Sequence, residues 1–381
     1  MPRSGYQPAT KPYLARMKIS ELIAALETFA APELQEDWDN TGLLTGNAAW
    51  ACSGVLCTLD VTTAVVQEAA AKNCNLIVAH HPVIFKGLKR ITGKTYVEAV
   101  LIEAIKANIA IYALHTALDN VLPGVNGMIA EKLMLTNCNV LLPKPKTLRR
   151  LITFAPNENA EAVRAAVFAA GAGHIGNYSE CSFNSRGTGT FKAEEGADPY
   201  VGEIGKQHYE EETKIEIVFP AYLEPQVVTA LIAAHPYEEV AYDIFAMENT
   251  HKAIGAGLIG ELKTAMREAD FLHHLQHIFK TPCIRHTALL QKPVKKVAVC
   301  GGSGAFLIKQ AIRQGADFYI TADVKYHEFF DAENAVVIAD VGHWESEQYT
   351  IDLLHDLIAK KFPTFAVLKT SVNTNPVWYF R

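Results

Sequence analysis

The chain has 381 residues, 49% of them hydrophobic and 20% charged, with a formal net charge of −6. That length exceeds one ordinary core and predicts two or three domains. The composition is that of a soluble globular protein, and no apolar run approaches the roughly 18 residues that cross a bilayer. Seven cysteines, an odd number without a Cys-x-x-Cys pair, do not read as a disulfide framework, so a reducing cytoplasm is the expected compartment. Residues 151–250 hold sixteen acidic and five basic side chains, leaving the rest of the chain about five charges positive. A mildly basic body suits a phosphate-bearing substrate; the excess is too small to argue for nucleic acid.

In chain order, Met1 to Arg16 is polar and lacks the apolar stretch of a secretory signal; it reads as a loose tail, with the fold starting near Met17. From Lys18 to about Leu135 short apolar strands alternate with helices: strand Val55–Leu59, helix Thr62–Lys72, strand Asn75–Ala79, helix Thr95–Ala107, strand Ile109–Leu114. This alternation predicts parallel strands joined by helical crossovers. The texture then changes. Leu151–Phe154, Lys214–Phe219 and Val240–Met247 read as strands, and Ala160–Ala170 and Glu224–Ala234 as helices. With one more strand after the turn-rich Gly171–Ser179, the order is β-α-β-β-α-β, that of a small ferredoxin-like α+β domain. The Gly/Ser/Asn-rich run Asn184–Gly189 reads as a loop.

Near Lys295 the first pattern resumes. Strand Lys296–Cys300 leads into Gly301-Gly302-Ser303-Gly304 and helix Ala305–Gln314; strands Asp317–Thr321 and Ala335–Ala339 come next, then a long helix from about Glu345 to Lys361. Val55-Leu56-Cys57 matches Val297–Cys300 in character, and His80 then falls opposite Asp323. That suggests two related α/β halves, although any two βαβ units share as much. The economical organisation is one α/β domain built from residues 17–147 and 251–381, with residues 148–250 inserted at a surface loop.

Three motifs stand where apolar strands end: His80-His81-Pro82, Asp119, and His343 with Glu347. Imidazoles and carboxylates are what divalent metals take, and in open parallel sheets sites form at the carboxyl ends of strands. Each motif has a plainer reading. His80 and His81 are polar residues at a loop start, and both reach one centre only if the backbone turns there. Asp119 can bridge two ions or N-cap the helix beginning near Gly124. His343 and Glu347, at i and i+4, share one helix face, as does any exposed pair. His115 reads as a supporting partner rather than a ligand.

Gly301 to Gly304 forms a strand-to-helix turn whose backbone N–H groups can receive phosphate, or simply permit a tight turn. Asp323, Lys325, Tyr326 and His327 cluster after another strand; His327 and Asp323 are candidate proton carriers. His273, His274 and His277 are read as a solvated helix face. His235-Pro236-Tyr237-Glu238-Glu239 falls in the acidic insert and is set apart from the metal motifs.

Together with Trp38-Asp39-Asn40-Thr41-Gly42-Leu43 and Thr321 to His327, these motifs make the chain resemble the Nif-three-like proteins, also called GTP cyclohydrolase 1 type 2 homologues. The resemblance runs from about residue 17 to the C-terminus, with Ala322 where many members carry Gly. It implies two related α/β halves forming a Nif-three-like domain, with an inserted PII/CutA-like ferredoxin-like domain as in long bacterial members. It also implies two divalent ions (Zn, Mn, Fe, Co or Ni) on His80, His81, Asp119, His343 and Glu347, and a toroidal homohexamer. The implied activity is hydrolytic opening of the GTP purine ring, with metal-activated hydroxide attacking C8. A dinuclear phosphoesterase or other nucleotide hydrolase is the alternative enzyme. A non-enzymatic metal-binding adaptor, holding a protein partner through residues 151–250, is the alternative of another class.

Overall fold

A strand covered on both faces needs a continuous apolar run rather than an alternating one. Val55–Thr58, Leu76–Ala79, Ala110–Ala113 and Val337–Asp340 are such runs, and all of their residues are buried. They form the centres of two sheets in a computed structural model that describes residues 17–380; the expected tail Met1–Arg16 lies outside the described residues.

The first stretch of chain comprises α1 (Ile19–Phe29), β1 (Gly42–Thr45), β2 (Val55–Thr58), α2 (Thr63–Ala71), β3 (Leu76–Ala79), α3 (Tyr96–Lys106), β4 (Ala110–Ala113), α4 (His115–Asp119) and α5 (Val125–Lys132). The middle holds β5 (Leu135–Pro143), β6 (Leu148–Pro156), α6 (Ala160–Ala169), β7 (Phe183–Lys192), β8 (Gln207–Pro220), α7 (Glu224–Ala234) and β9 (Tyr242–Ala246). Then come β10 (Gly255–Met266), α8 (Glu268–Phe279), β11 (Arg285–His286), β12 (Val294–Ser303), α9 (Ile308–Arg313), β13 (Phe318–Ala322) and β14 (Val337–Asp340). The chain finishes with α10 (His343–Glu347), α11 (Thr350–Lys361) and β15 (Val367–Lys369).

These elements divide into two units, residues 17–117 with 348–380, and Leu118–Glu347. The first carries a five-stranded sheet in the order β1-β4-β3-β2-β15, parallel except for β1. Apolar residues of α2 and α3, among them Val65, Ala69, Val100 and Ala104, close over Leu56, Ile77 and Ile111. The second unit holds a six-stranded sheet, β11-β14-β13-β12-β10-β5, in which β12, β13 and β14 run parallel. It also contains a four-stranded antiparallel sheet, β7-β8-β6-β9. That sheet and helices α6 and α7 share their own core around Leu151, Ile215, Phe219, Val163 and Leu231. The molecule is therefore mixed α/β with several sheets, and among the described residues no helix is long and apolar enough to cross a membrane.

Two expectations are corrected. Asn184–Gly189 is not a loop but the middle of β7, which pairs with β8 over ten consecutive residues, from Phe183 with Glu216 to Lys192 with Gln207. Cross-strand pairing overrides a turn-like local composition. The helix expected over Glu345–Lys361 is two helices, because α10 packs on β12 and β13 whereas α11 packs on β2 and β15.

Ile77 is fully buried in β3, whereas Ile105 on α3 is 54% exposed. Ile77→Ala should lower unfolding free energy by about 3 kcal/mol, and Ile105→Ala by no more than about 0.5 kcal/mol, measured by urea denaturation.

Candidate metal centre

Parallel strands bring their carboxyl ends to one edge of a sheet, so residues just past neighbouring strands meet there. In the first unit Asp60 follows β2, His80 and His81 follow β3, and His115 follows β4. The three imidazoles form one cluster, with ring centroids 4.7 Å apart for His80 and His81, 5.5 Å for His80 and His115, and 5.4 Å for His81 and His115. His80 is fully buried. His81 Nδ1 donates to Asp60 Oδ1 at 2.8 Å, and Thr374 Oγ1 donates to Asp60 Oδ2 at 2.7 Å. His115 Nδ1 donates to Asp39 Oδ1 at 2.6 Å. With ionised carboxylates as partners, the protons sit on Nδ1 and each Nε2 keeps its lone pair. The exposed rings of Trp38 and Phe85 flank His115, each 5.9 Å from it between centroids.

The Asp39 carboxylate is an anchor. Its second oxygen accepts from both the backbone N–H and the hydroxyl of Thr116. Burial alone raises its pKa, but the hydrogen bonds from His115, Thr116 and Asn40 prevail and hold it at about 2.

The second unit repeats the arrangement. Gly301 and Gly302 lie at the end of β12, Asp323 follows β13, and His343 follows β14. Asp340, buried at the end of β14, accepts from the N–H of Val324 at 3.0 Å and of Gly342 at 3.2 Å, and pairs with Arg285. One carboxylate thereby fixes the turns that carry Asp323 and His343. His343 Nδ1 donates to Asp323 Oδ2 at 2.6 Å, and its Nε2 lies 3.2 Å from Glu347 Oε2, one helical turn on. Loss of water opposes charge on this half-buried ring, yet its bonds to Asp323 and Glu347 push it up to about 11. Asp323 and Glu347 thus favour positive charge at this ring. Glu347 and Asp119 also act on the buried Cys300, whose thiol is pushed up first by burial and then by their charges.

These features fit a divalent ion by donor chemistry: imidazole rings, carboxylates, and further carboxylates aiming the rings. His80 and His81 in the first unit and Glu347 in the second carry donor atoms of the kind such an ion takes. Asp119 ends α4 and is not the N-cap of α5, a position taken by Gly124.

Other expectations change. Gly301, Gly302 and Ser303 belong to the strand β12 rather than to a free turn. The Gly301 N–H donates to Asn126 Oδ1 at 3.0 Å and the Gly302 N–H to Ser346 Oγ at 2.9 Å, so neither is available to phosphate. Gly302 instead clears room for two side chains, since a Cβ there would meet Glu347 Oε1 at 2.4 Å and His343 Nε2 at 3.2 Å. Asp323, expected as a proton shuttle, is held ionised by His343 and orients that ring. His327 is exposed, its ring edge-on to Tyr326. His273 and His277 are exposed on α8, whose buried face is Phe271, Leu275 and Phe279. Sequence reasoning missed the roles of Asp60, Asp340 and Thr374; for the first two, a lone carboxylate at a strand end was the available signal.

A family model described as Duf34/NIF3 (NGG1p interacting factor 3) matches residues 17–376. A protein of Halalkalibacterium halodurans named "GTP cyclohydrolase 1 type 2 homolog" is 39% identical over 94% of this chain and 99% of its own length. A Bacillus subtilis protein of the same name is 38% identical over 93% and 97%. The crystal structure of a Bacillus cereus protein related to NIF3 superposes with a TM-score of 0.84 at 37% identity, covering 96% of this chain and 100% of that one.

Gly302 has φ +62° and Gly315 φ +71°, but only at Gly302 would a Cβ meet other atoms. Gly302→Ala should therefore weaken divalent-ion affinity at least about ten-fold in a chelator competition, whereas Gly315→Ala leaves it unchanged. Asp39, at about 2 when folded against an ordinary 3.8, stabilises the fold fully above pH 3.8 and loses that contribution as pH falls toward 2. Asp39→Asn should abolish this acid-limb dependence, worth at most about 2 kcal/mol, in unfolding midpoints followed against pH.

Proposed function

The chain belongs to the Duf34/NIF3 (NGG1p interacting factor 3) family, and from that premise we propose that it is a dinuclear-metal-dependent hydrolase acting on a nucleotide. The observation that carries the reading is the paired arrangement of rings and carboxylates: His81 on Asp60 and His343 on Asp323, each held at Nδ1. That pattern belongs to metal-ligating histidines, whose tautomer must be fixed. His80, His81, Asp119, His343 and Glu347 would hold two divalent ions, for which Zn, Mn, Fe, Co and Ni all suit the donor set. Bound there, such ions lower the pKa of water toward neutrality and stabilise developing negative charge.

The chain's own residues do the rest. Asp60 and Asp323 keep protons on Nδ1 of His81 and His343. Trp38 and Phe85, exposed beside His115, offer faces on which a planar base stacks. His327 is assigned proton transfer to the leaving nitrogen. The relatives' name, "GTP cyclohydrolase 1 type 2 homolog", supports GTP as the substrate, and the reaction proposed is hydrolytic opening of its purine ring.

The remaining organisation accords with the same reading. Residues 148–250 form a ferredoxin-like, PII/CutA-like domain inserted between 17–147 and 251–381, supported by the antiparallel order β9-β6-β8-β7 with two helices on one face. The subunits assemble as a homohexamer.

Apoprotein reconstituted separately with each of the five metals should be assayed for GTP turnover and metal content on one sample, with mass from light scattering. The expected result is two ions per subunit, a ring-opened product and a hexameric mass. His81→Ala should lose metal and turnover together. Loss of turnover with metal at wild-type stoichiometry counts against the assignment, and inert, fully loaded wild-type protein sinks the enzyme reading.

A further inference from the structure

The motif His235-Pro236-Tyr237-Glu238-Glu239 and the glycine-rich middle of β7 have no part in the metal centre, yet they meet at a cavity of about 690 Å³ on the four-stranded sheet. Residues paired across antiparallel strands share a face. Ser185, Gly187 and Gly189 of β7 therefore lie on the same face as their partners Lys214, Glu212 and Glu210 of β8. The small side chains clear the floor. A Cβ on Gly187 would meet nothing within 4 Å, while one on Gly189 would meet Glu212 Oε2 at 2.1 Å, so the carboxylate lies over bare backbone.

Glu212 is only 8% exposed. Its Oε1 accepts from the Tyr237 hydroxyl at 2.9 Å. Tyr237 is aimed by His235, whose Nδ1 accepts from the Tyr237 N–H at 3.1 Å while Nε2 donates to the Phe154 carbonyl at 2.9 Å. Burial, then the neighbouring Glu212, push the Tyr237 phenol up, so it remains a donor. Among the ion pairs of the described residues none involves Glu212; Lys214, next along the face, is paired with Glu216 at 2.7 Å. Around the cavity Arg186, Lys192 and Lys214 are balanced by Glu194, Glu238 and Glu239, which leaves Glu212 to set the sign. The apolar lining is aromatic, from Phe154, Phe191, Tyr200 and Tyr237. A phenol needs only a neutral acceptor. A nine-tenths-buried carboxylate among aromatic rings instead matches the recognition of an organic cation, which gains from both the charge and the ring faces.

We propose that this cavity binds an organic ammonium ion, its charge set against Glu212 and its carbon body against the surrounding aromatic rings. The site lies wholly within residues 154–241 and is independent of the metal-centre reading.

Full-length, metal-loaded protein should be titrated calorimetrically with tetramethylammonium, choline, butylamine and 3,3-dimethylbutan-1-ol, the last a neutral match for choline. At least one ammonium probe should saturate at one per chain, and the alcohol should bind at least about ten-fold more weakly than choline. Glu212→Gln, which keeps an acceptor for Tyr237, should weaken binding by about ten-fold or more while metal content stays constant. Gly187→Val, which places a branched side chain on the open floor opposite Glu212, should abolish binding. The proposal is overturned if no ammonium probe saturates below about 10 mM, if the alcohol equals choline, or if both variants bind like wild type.

Discussion

An imidazole offers a metal one nitrogen, and the ring stays aimed only while the other nitrogen is held. Everything around the candidate centre answers to that constraint. Asp60 holds His81, Asp39 holds His115, and Asp323 holds His343, all at Nδ1. The anchors are anchored in turn: Thr374 on Asp60, Thr116 on Asp39, and Asp340 on the turns that carry Asp323 and His343. Parallel strands supply the geometry, because β2, β3 and β4 in one unit and β12, β13 and β14 in the other each deliver such residues to one sheet edge. The two units share this plan although their outer strands differ.

Much of this was legible in the sequence because it is local. Continuous apolar runs such as Leu76–Ala79 announce strands buried on both faces, and a parallel sheet places its chemistry on the residues just past each run. His80, His81 and His343 could be singled out on that ground. The anchors could not be weighed the same way, because their partners are remote. Thr374 reaches Asp60 across 314 residues and Asp39 reaches His115 across 76. A carboxylate at a strand end has many ordinary uses, and only the fold shows which partner it meets.

The misreadings have the same origin. Asn184–Gly189 has the composition of a turn, but its glycines serve a strand whose floor must stay clear beneath Glu212. Gly301 and Gly302 look like a phosphate turn because glycine before a helix commonly is one. Here their N–H groups are taken by Asn126 and Ser346, and the missing Cβ of Gly302 makes room for carboxylate and imidazole. The same residue type thus marks close approach by a protein side chain rather than by a ligand. His235, set apart from the metal motifs on sequence, is a fully engaged strut whose charge burial disfavours.

The C-terminal stretch is more than a trailing end. Strand β15 lies beside β2, Thr370 and Ser371 bond Glu68 on α2, and Thr374 pins the carboxylate that aims His81. During synthesis, His80 and His81 leave the ribosome nearly three hundred residues before that clamp exists. The nascent chain therefore carries its histidines long before one of them has a fixed orientation. Translation order itself makes ring locking a late event, because Thr374 is made long after Asp60.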